Sequence, residues 1–239
     1  PVFLLSPLVL FALLCGWSIL TLMFQSALKL LAIYLHVSGK STPSAAPPLD
    51  DDALPFISML VPLYREEKLA QHLVRRLAAI DYPADRLEVC LVFEADDPIT
   101  RHNIEAATLP PRFRVIEVPK GRVKTKPRAL NYALDFCRGD IVGIYDAEDA
   151  PEPDQLRKIA AQFAVADPKT VCLQGVLDFY NAGYNWLAHC FAIEYATWFR
   201  VMLPGLDRMG FAIPLGGTTM FFRRHALATL GAWEAPNVT

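Results

Sequence analysis

From Pro1 to Leu28 the chain carries no charged side chain, and this run restricts its folding more than any other feature. In hydrocarbon every backbone polar group must be bonded internally, which leaves a helix as the form available to a single short segment. About 20 apolar residues suffice to cross, and the stretch Leu8 to Phe24 is long enough. A secretory signal would need a basic start, a shorter apolar region and a small-residue cleavage site. A buried core helix rarely stays uncharged for so long. Residues 1–37 are therefore expected to form a transmembrane helix. Lys29, His36 and Lys40 all follow the apolar run, and positive charge stays on the cytoplasmic side. The remaining chain is expected at the cytoplasmic face of a membrane, a bacterial inner membrane by this reading, with lipid as one partner. The 53% hydrophobic content and mean hydropathy of +0.26 owe their excess to this run.

A formal net charge of -2 and a pI near 6.2 provide no global field for a polyanion, so nucleic acid is not expected as a partner. The five cysteines, Cys15, Cys90, Cys137, Cys172 and Cys190, are odd in number and sit in apolar runs. They read as buried thiols of a reducing compartment. The histidines lack zinc-ligand spacing, and no zinc site is expected.

Residues 38–54 hold Pro43, Pro47, Pro48 and the run Asp50-Asp51-Asp52, a linker composition. One domain is expected over residues 55–239. It is expected to be incomplete at its C-terminal end, because the chain opens on Pro1 and stops at Asn237-Val238-Thr239 without a helix end or tail. Strands are expected at Phe56–Val61, Leu87–Phe93, Phe113–Val118, Ile141–Tyr145 and Thr170–Leu173. Helices are expected near Glu66–Ala79, Ile99–Ala107, Lys126–Cys137 and Asp154–Ala166. This alternation predicts an α/β sheet with crossover helices, whose ligands bind beyond the carboxyl ends of the strands.

Acids collect after those ends: Glu66 and Glu67 after the first strand, Glu94, Asp96 and Asp97 after the second, Asp146, Glu148 and Asp149 after the fourth. Converging like charges repel unless a cation lies among them, and Mg²⁺ is held by one or two carboxylates plus substrate phosphates. The alternative is helix capping, equally open for Asp97 before Pro98. It is less convincing for Asp146 and Glu148, because Pro151 and Pro153 delay the next helix. The counterpart is Lys120-Gly-Arg122-Val-Lys124-Thr-Lys126-Pro-Arg128, five basic residues in nine, feeding a predicted helix N-terminus. Charge and helix dipole together suit a diphosphate there.

These motifs, in this order, resemble one family. Val-Pro-x-Tyr-x-Glu over residues 61–66, the acids after strand two, Lys-x-Lys-Pro-Arg-Ala-Leu-Asn over 124–131 and Asp-Ala-Glu-Asp over 146–149 come first. Gln174 with Phe179-Tyr180-Asn181, Gly216-Gly217-Thr218-Thr219 and Gly231-Ala-Trp233 follow. Together they are similar to the GT-A domain, a Rossmann-like mixed sheet, of processive family 2 glycosyltransferases related to cellulose and other β-glucan synthases. The likeness spans about Pro55 to Thr239. It implies an inverting transferase moving a sugar from a nucleotide diphosphate, a UDP-sugar by family, to a growing polysaccharide or glycan. It implies donor contacts at Pro62, Tyr64, Glu66, Glu94, Asp96, Lys126 and Asp146, and Mg²⁺ or Mn²⁺ on Asp146 and Glu148. Glu148 stands where the family more often has Asp. Acceptor contacts are implied at Gln174, Tyr180, Asn181, Gly216, Gly217 and Thr218, although the two glycines also suit an ordinary turn. The family's general base lies in a Thr-Glu-Asp triplet just beyond Gly-x-Trp, so no catalytic base is expected within residues 1–239.

Two other readings compete. A nucleotidyltransferase would want a glycine-rich loop after the first strand, where Tyr64-Arg65-Glu66-Glu67 has none. A non-catalytic membrane scaffold would not need Lys126, Asp146, Glu148 and Gln174. Finally, Asn185 to Met202 carries Trp186, Phe191, Tyr195, Trp198, Phe199 and Met202, with only Glu194 and Arg200 as charges. It suits a helix at the membrane surface or one in the core.

Overall fold

The computed structural model describes residues 6–38, 46–66 and 69–237, with the side chains of 69–72 left aside. Lys40, Pro43, Glu67 and Thr239, named above, lie outside the described residues. The chain divides into two compact units, Pro1–Thr42 with Val176–Pro214, and Pro43–Gly175 with Leu215–Thr239.

The second unit is built on six strands: β1 (Ile57–Leu63), β2 (Leu87–Glu94), β3 (Phe113–Val118), β4 (Ile141–Ile144), β5 (Cys172–Gln174) and β6 (Met220–Arg223). Their order is β3-β2-β1-β4-β6-β5. The first four pair in parallel, and β6 runs antiparallel to both β4 and β5. The sheet is thus mixed, as expected. Strand β2 reads Leu-Glu-Val-Cys-Leu-Val-Phe-Glu and is buried at every position, which a parallel strand covered on both faces requires. Alternation then splits the core. Ile57, Met59, Val61 and Leu63 face Leu77, Leu156 and Phe163, while Leu60, Cys90, Val92 and Ile144 face Leu130 and Ala133. The covering helices are α2 (Leu69–Ala78), α3 (Pro98–Glu105), α4 (Lys126–Leu134) and α5 (Gln155–Val165), with α8 (Arg224–Thr229) after β6.

Among the described residues Glu88, Glu94 and Asp97 are buried carboxylates. Glu88 on β2 is 1% exposed and accepts hydrogen bonds from Ser58 Oγ at 2.6 Å, Arg138 N at 2.7 Å, Arg138 Nε at 2.8 Å and Arg114 Nη1 at 2.9 Å. Four donors to one carboxylate meet the condition under which a buried charge is tolerated.

Part of the expected linker also belongs to the fold. Leu54 is buried in the core, and Asp51 opens a short 3₁₀ turn, Asp51–Ala53, where Arg157 Nη1 bonds it at 2.7 Å. Strand limits shift by one or two residues, β1 running from Ile57 to Leu63 instead of Phe56 to Val61 and β2 and β5 each ending one residue later. β5 begins at Cys172 instead of Thr170, and Tyr145 falls just past β4 with its ring fully buried against Phe221.

The first unit holds α1 (Pro7–Ser38), a helix long and apolar enough to cross a membrane. It also holds α6 (Trp186–Thr197), a π-helical turn (Trp198–Met202) and α7 (Leu203–Arg208). Residues 176–214, expected within the sheet domain, cluster with α1 because Gly205 packs against Ala32. A Cβ at Gly205 would lie 2.5 Å from the Ala32 carbonyl oxygen. Arg208 Nη1 donates to the carbonyls of Leu35 and His36 at 2.6 and 2.9 Å, capping the end of α1. The thiols are less uniformly buried than expected: Cys90 and Cys137 are buried, Cys15 and Cys172 half-buried, and Cys190 on α6 is exposed.

Candidate donor-binding site

In the order β3-β2-β1-β4 the chain leaves β1 toward β2 on one side and meets β4 on the other, so the carboxyl end of β1 is a topological switch point. Register brings the strand ends level, with Leu63 beside Phe93 and Leu60 beside Ile144. There a cavity of about 370 Å³ opens. It is lined by Pro62 and Leu63 from β1 with Tyr64 just after it, Val92, Phe93 and Glu94 from β2, Asp146 after β4, and Lys124, Thr125, Lys126 and Ala129 around the start of α4. The size falls within the range of small-ligand sites.

The loop Lys120 to Thr125 turns into α4 because Thr125 is extended and its Oγ1 accepts from Arg128 N at 3.3 Å, with Pro127 in the first turn. This is ordinary N-capping. Alternate residues then reach the acids. Lys124 pairs with Asp96, Lys126 Nζ lies 2.5 Å from Asp146 Oδ1, and Arg128 Nη1 lies 2.9 Å from both oxygens of Glu94. Three of the acids after the strand ends thus pair with one basic segment. Asp96 is held below the usual carboxylate range by its bond from Lys124, whose own ammonium is pushed up.

The loop after β4 is held by its own polar groups and by Thr218. Asp149 Oδ2 accepts from Asp146 N at 2.8 Å and from Thr218 Oγ1, and Thr218 Oγ1 accepts in turn from Asp146 N at 3.1 Å. Burial, with Asp146 and Glu148 nearby, raises Asp149 above the usual carboxylate range against the pull of these bonds. Gly217 sits at φ 62° and its carbonyl accepts from Lys126 Nζ at 2.7 Å. Thr219 follows at φ 54°, a conformation a β-branched residue adopts at a cost.

Each expected residue can now be placed. Pro62, Tyr64, Glu94, Lys126 and Asp146 line the cavity. Asp96 stands behind Lys124. Glu66 is tied by its backbone to α3, its N–H to Thr100 Oγ1 at 3.0 Å and its carbonyl to Asn103 Nδ2 at 2.9 Å, and it is not a lining residue. Asp97 is a cap: it accepts from Thr100 N, Thr100 Oγ1 and Arg65 N. Burial works against its charge, yet these bonds hold it below the usual range. Glu148 is exposed beside Asp146. Gln174 acts on backbone: its Oε1 accepts from Gly216 N at 2.8 Å and its Nε2 donates to Thr218 O at 3.2 Å. Gln174 and Gly216 therefore clasp the two ends of the excursion 176–214. Tyr180 and Asn181 lie within that excursion, in the other unit. Sequence reasoning missed the Asn131 side chain, which bonds the Trp233 N–H at 2.9 Å and its carbonyl at 2.5 Å. It also missed the Arg128–Glu94 pair. The i, i+2, i+4 spacing of Lys124, Lys126 and Arg128 was the available signal for the latter.

Among the described residues no group of three or more His, Cys, Asp or Glu side chains is set to hold a metal. The donor set still fits a hard divalent cation. The Asp146 carboxylate and the Gly217 carbonyl already converge on the Lys126 ammonium, and one or two carboxylates suffice when phosphates complete the shell.

A mixed α/β sheet with a basic helix start beside the switch point of its parallel strands is an architecture that binds ligands at that edge. Residues 55–239 match the family model described as glycosyltransferase like family 2, and the chain belongs to that family. It is 30% identical over 224 residues to a beta-monoglucosyldiacylglycerol synthase of Synechocystis sp., covering 89% of this chain and 44% of that protein. It is 25% identical over 192 residues to a probable glucomannan 4-beta-mannosyltransferase of Arabidopsis thaliana, covering 77% and 34%. The chain thus spans less than half the length of these relatives. Among solved structures it is similar to the mannosyltransferase PcManGT from Pyrobaculum calidifontis in complex with GDP-Man and Mn²⁺. The TM-score is 0.60 at 22% identity, over 91% of this chain and 58% of that one, a likeness of fold.

Proposed function

We propose that this chain carries the donor half of an inverting glycosyltransferase that moves a sugar from a nucleoside diphosphate, UDP in the first instance, at the cytoplasmic face of a membrane that α1 crosses. The carrying observation is the zip of Lys124, Lys126 and Arg128 onto Asp96, Asp146 and Glu94 around one cavity. Cations held by acids are ready to exchange them for phosphate oxygens without a large reorganisation. Pro62, Tyr64 and Glu94 would wall the base, and Lys126 with the first turn of α4 would take the diphosphate. Lys126 then trades Asp146 for the leaving group, and its charge is in place as negative charge builds on the departing oxygen. Mg²⁺ or Mn²⁺ on Asp146 and Glu148 would supply further neutralisation of the diphosphate. Gln174, Gly216, Gly217 and Thr218 would shape the acceptor side, with Tyr180 and Asn181 on the excursion. The proton of the acceptor hydroxyl would go to a carboxylate outside residues 1–239, giving displacement with inversion.

The acceptor in this reading is a growing polysaccharide or glycan. A lipid headgroup is the second reading, favoured by the relative named for monoglucosyldiacylglycerol synthesis. Calorimetric titration of the detergent-solubilised protein with UDP and Mg²⁺ or Mn²⁺ tests the donor site. Binding that depends on the metal and is lost in Asp146→Asn is expected. Binding of UDP indifferent to both would sink the assignment of Asp146.

A further inference from the structure

We infer that α6, with Trp198 at the head of the π-helical turn after it, forms a membrane-embedded surface, seated in the headgroup layer of the leaflet where α1 ends. The inference rests on the reading of α1 as a membrane span. From Trp186 to Arg208 the chain is helical without a break, through α6, the π-turn and α7. Helix α6 reads Trp-Leu-Ala-His-Cys-Phe-Ala-Ile-Glu-Tyr-Ala-Thr, apolar on every side apart from His189 and Glu194. Such a helix needs burial all round, yet none of its residues is buried. Phe179 covers one flank, its ring centroid 4.6 Å from Tyr195 and 6.2 Å from Phe191. The rest stays open: Trp186 is 77% exposed, Leu187 52% and Ile193 55%.

What covers this surface follows from where it is fastened. Ala32, the residue against which Gly205 packs, lies 25 residues past Pro7 in α1, about 38 Å along the helix at about 1.5 Å per residue. Hydrocarbon accounts for about 30 Å of that and the full bilayer for about 40–45 Å. Ala32 therefore falls in the near headgroup layer when Pro7 stands at the far outer surface of the bilayer. Arg208 on Leu35 and His36 fastens the other end of α7 within the same layer. The helical run that includes α6 thus starts at the membrane surface and is short of burial there. Trp186 and Trp198 have the amphipathic rings that favour this depth. The charge on Arg200 is met by Asp178 at 2.9 Å, so it does not oppose partial immersion. Large exposed apolar surface marks either a lipid or a protein interface, and the clamp onto α1 selects lipid.

The test uses the full chain in vesicles of zwitterionic and anionic phospholipid, with a nitroxide on one thiol at a time. Cys172 is replaced by serine in both versions, and one carries the label on Cys190 of α6 with Cys15 also replaced by serine. The other carries it on Cys15 of α1 with Cys190 replaced by serine. Relaxation by oxygen, which partitions into lipid, is compared with relaxation by a water-soluble nickel chelate, and circular dichroism checks folding of each version. Both labels are expected to favour oxygen, Cys190 at a shallower depth than Cys15. If Cys15 is lipid-exposed while Cys190 relaxes as in water, the inference fails and the reading of α1 stands. If Cys15 itself relaxes as in water, the reading of α1 fails and the inference with it. If Cys190 is shielded from both reagents, α6 is covered by protein and the inference is wrong.

Discussion

Replacing Lys126 by methionine separates the donor site from the fold more cleanly than any other change. The side chain keeps its length and loses the ammonium that lies 2.5 Å from Asp146 Oδ1 and 2.7 Å from the Gly217 carbonyl. With side chains 34% and 30% exposed, this pair is worth about 0–1 kcal/mol to the fold, which moves Tm by at most about 2–4 °C in a domain of this size. The bond it forms to a diphosphate is charge-assisted and worth about 1.5–3 kcal/mol. Setting the lost Asp146 pairing against it leaves about 0.5–3 kcal/mol, roughly a 2- to 150-fold weaker Kd for UDP. Uridine has no diphosphate, so its affinity is expected to be unchanged. Titrations of both ligands on wild type and Lys126→Met, with a thermal melt of each, make the measurement. Equal losses for UDP and uridine would mean that Lys126 supports the cavity wall, and an unchanged UDP affinity would place the diphosphate elsewhere.

Glu88→Ala is expected to destabilise the sheet unit by about 2–3 kcal/mol, because the buried Ser58 hydroxyl loses its acceptor while Arg114 and Arg138 keep access to water; a fall in Tm of less than a few degrees would refute it. Asp149→Asn is expected to raise Tm at pH 7–8. The raised carboxyl makes the folded state prefer the proton, so the wild type loses stability as pH climbs from the ordinary carboxylate range through the raised value; the gain should vanish as pH falls to about 4, and a gain independent of pH would contradict the assignment. Gln174→Ala should loosen the clasp on Gly216 and Thr218 and lower transfer by the whole enzyme with UDP affinity unchanged within error, while a parallel loss of UDP affinity would assign Gln174 to the donor side. A protein of residues 1–239 should bind UDP with metal and release no sugar to an acceptor, and transfer above background would place the general base within it.

The sequence by itself determined the membrane-length helix, the order of strands and helices, and the polar residues at the strand ends. Those depend on composition and on short periods, and local physics decides them: an uncharged run has few folded alternatives, and a strand buried on both faces must be mostly apolar. The site residues Glu94, Lys126 and Asp146 were legible for the same reason, since the end of a parallel strand is where an α/β sheet exposes ligands. Partner choice was not. Lys124, Lys126 and Arg128 pair with acids 28, 20 and 34 residues away, and only closure of β1 between β2 and β4 decides which acid each one meets. The long helical excursion 176–214 reads as part of the sheet domain until Gly205 is seen against Ala32 and Arg208 against the end of α1. A missing Cβ and an arginine fork act across 173 residues of chain, and no local pattern announces a contact made at that separation.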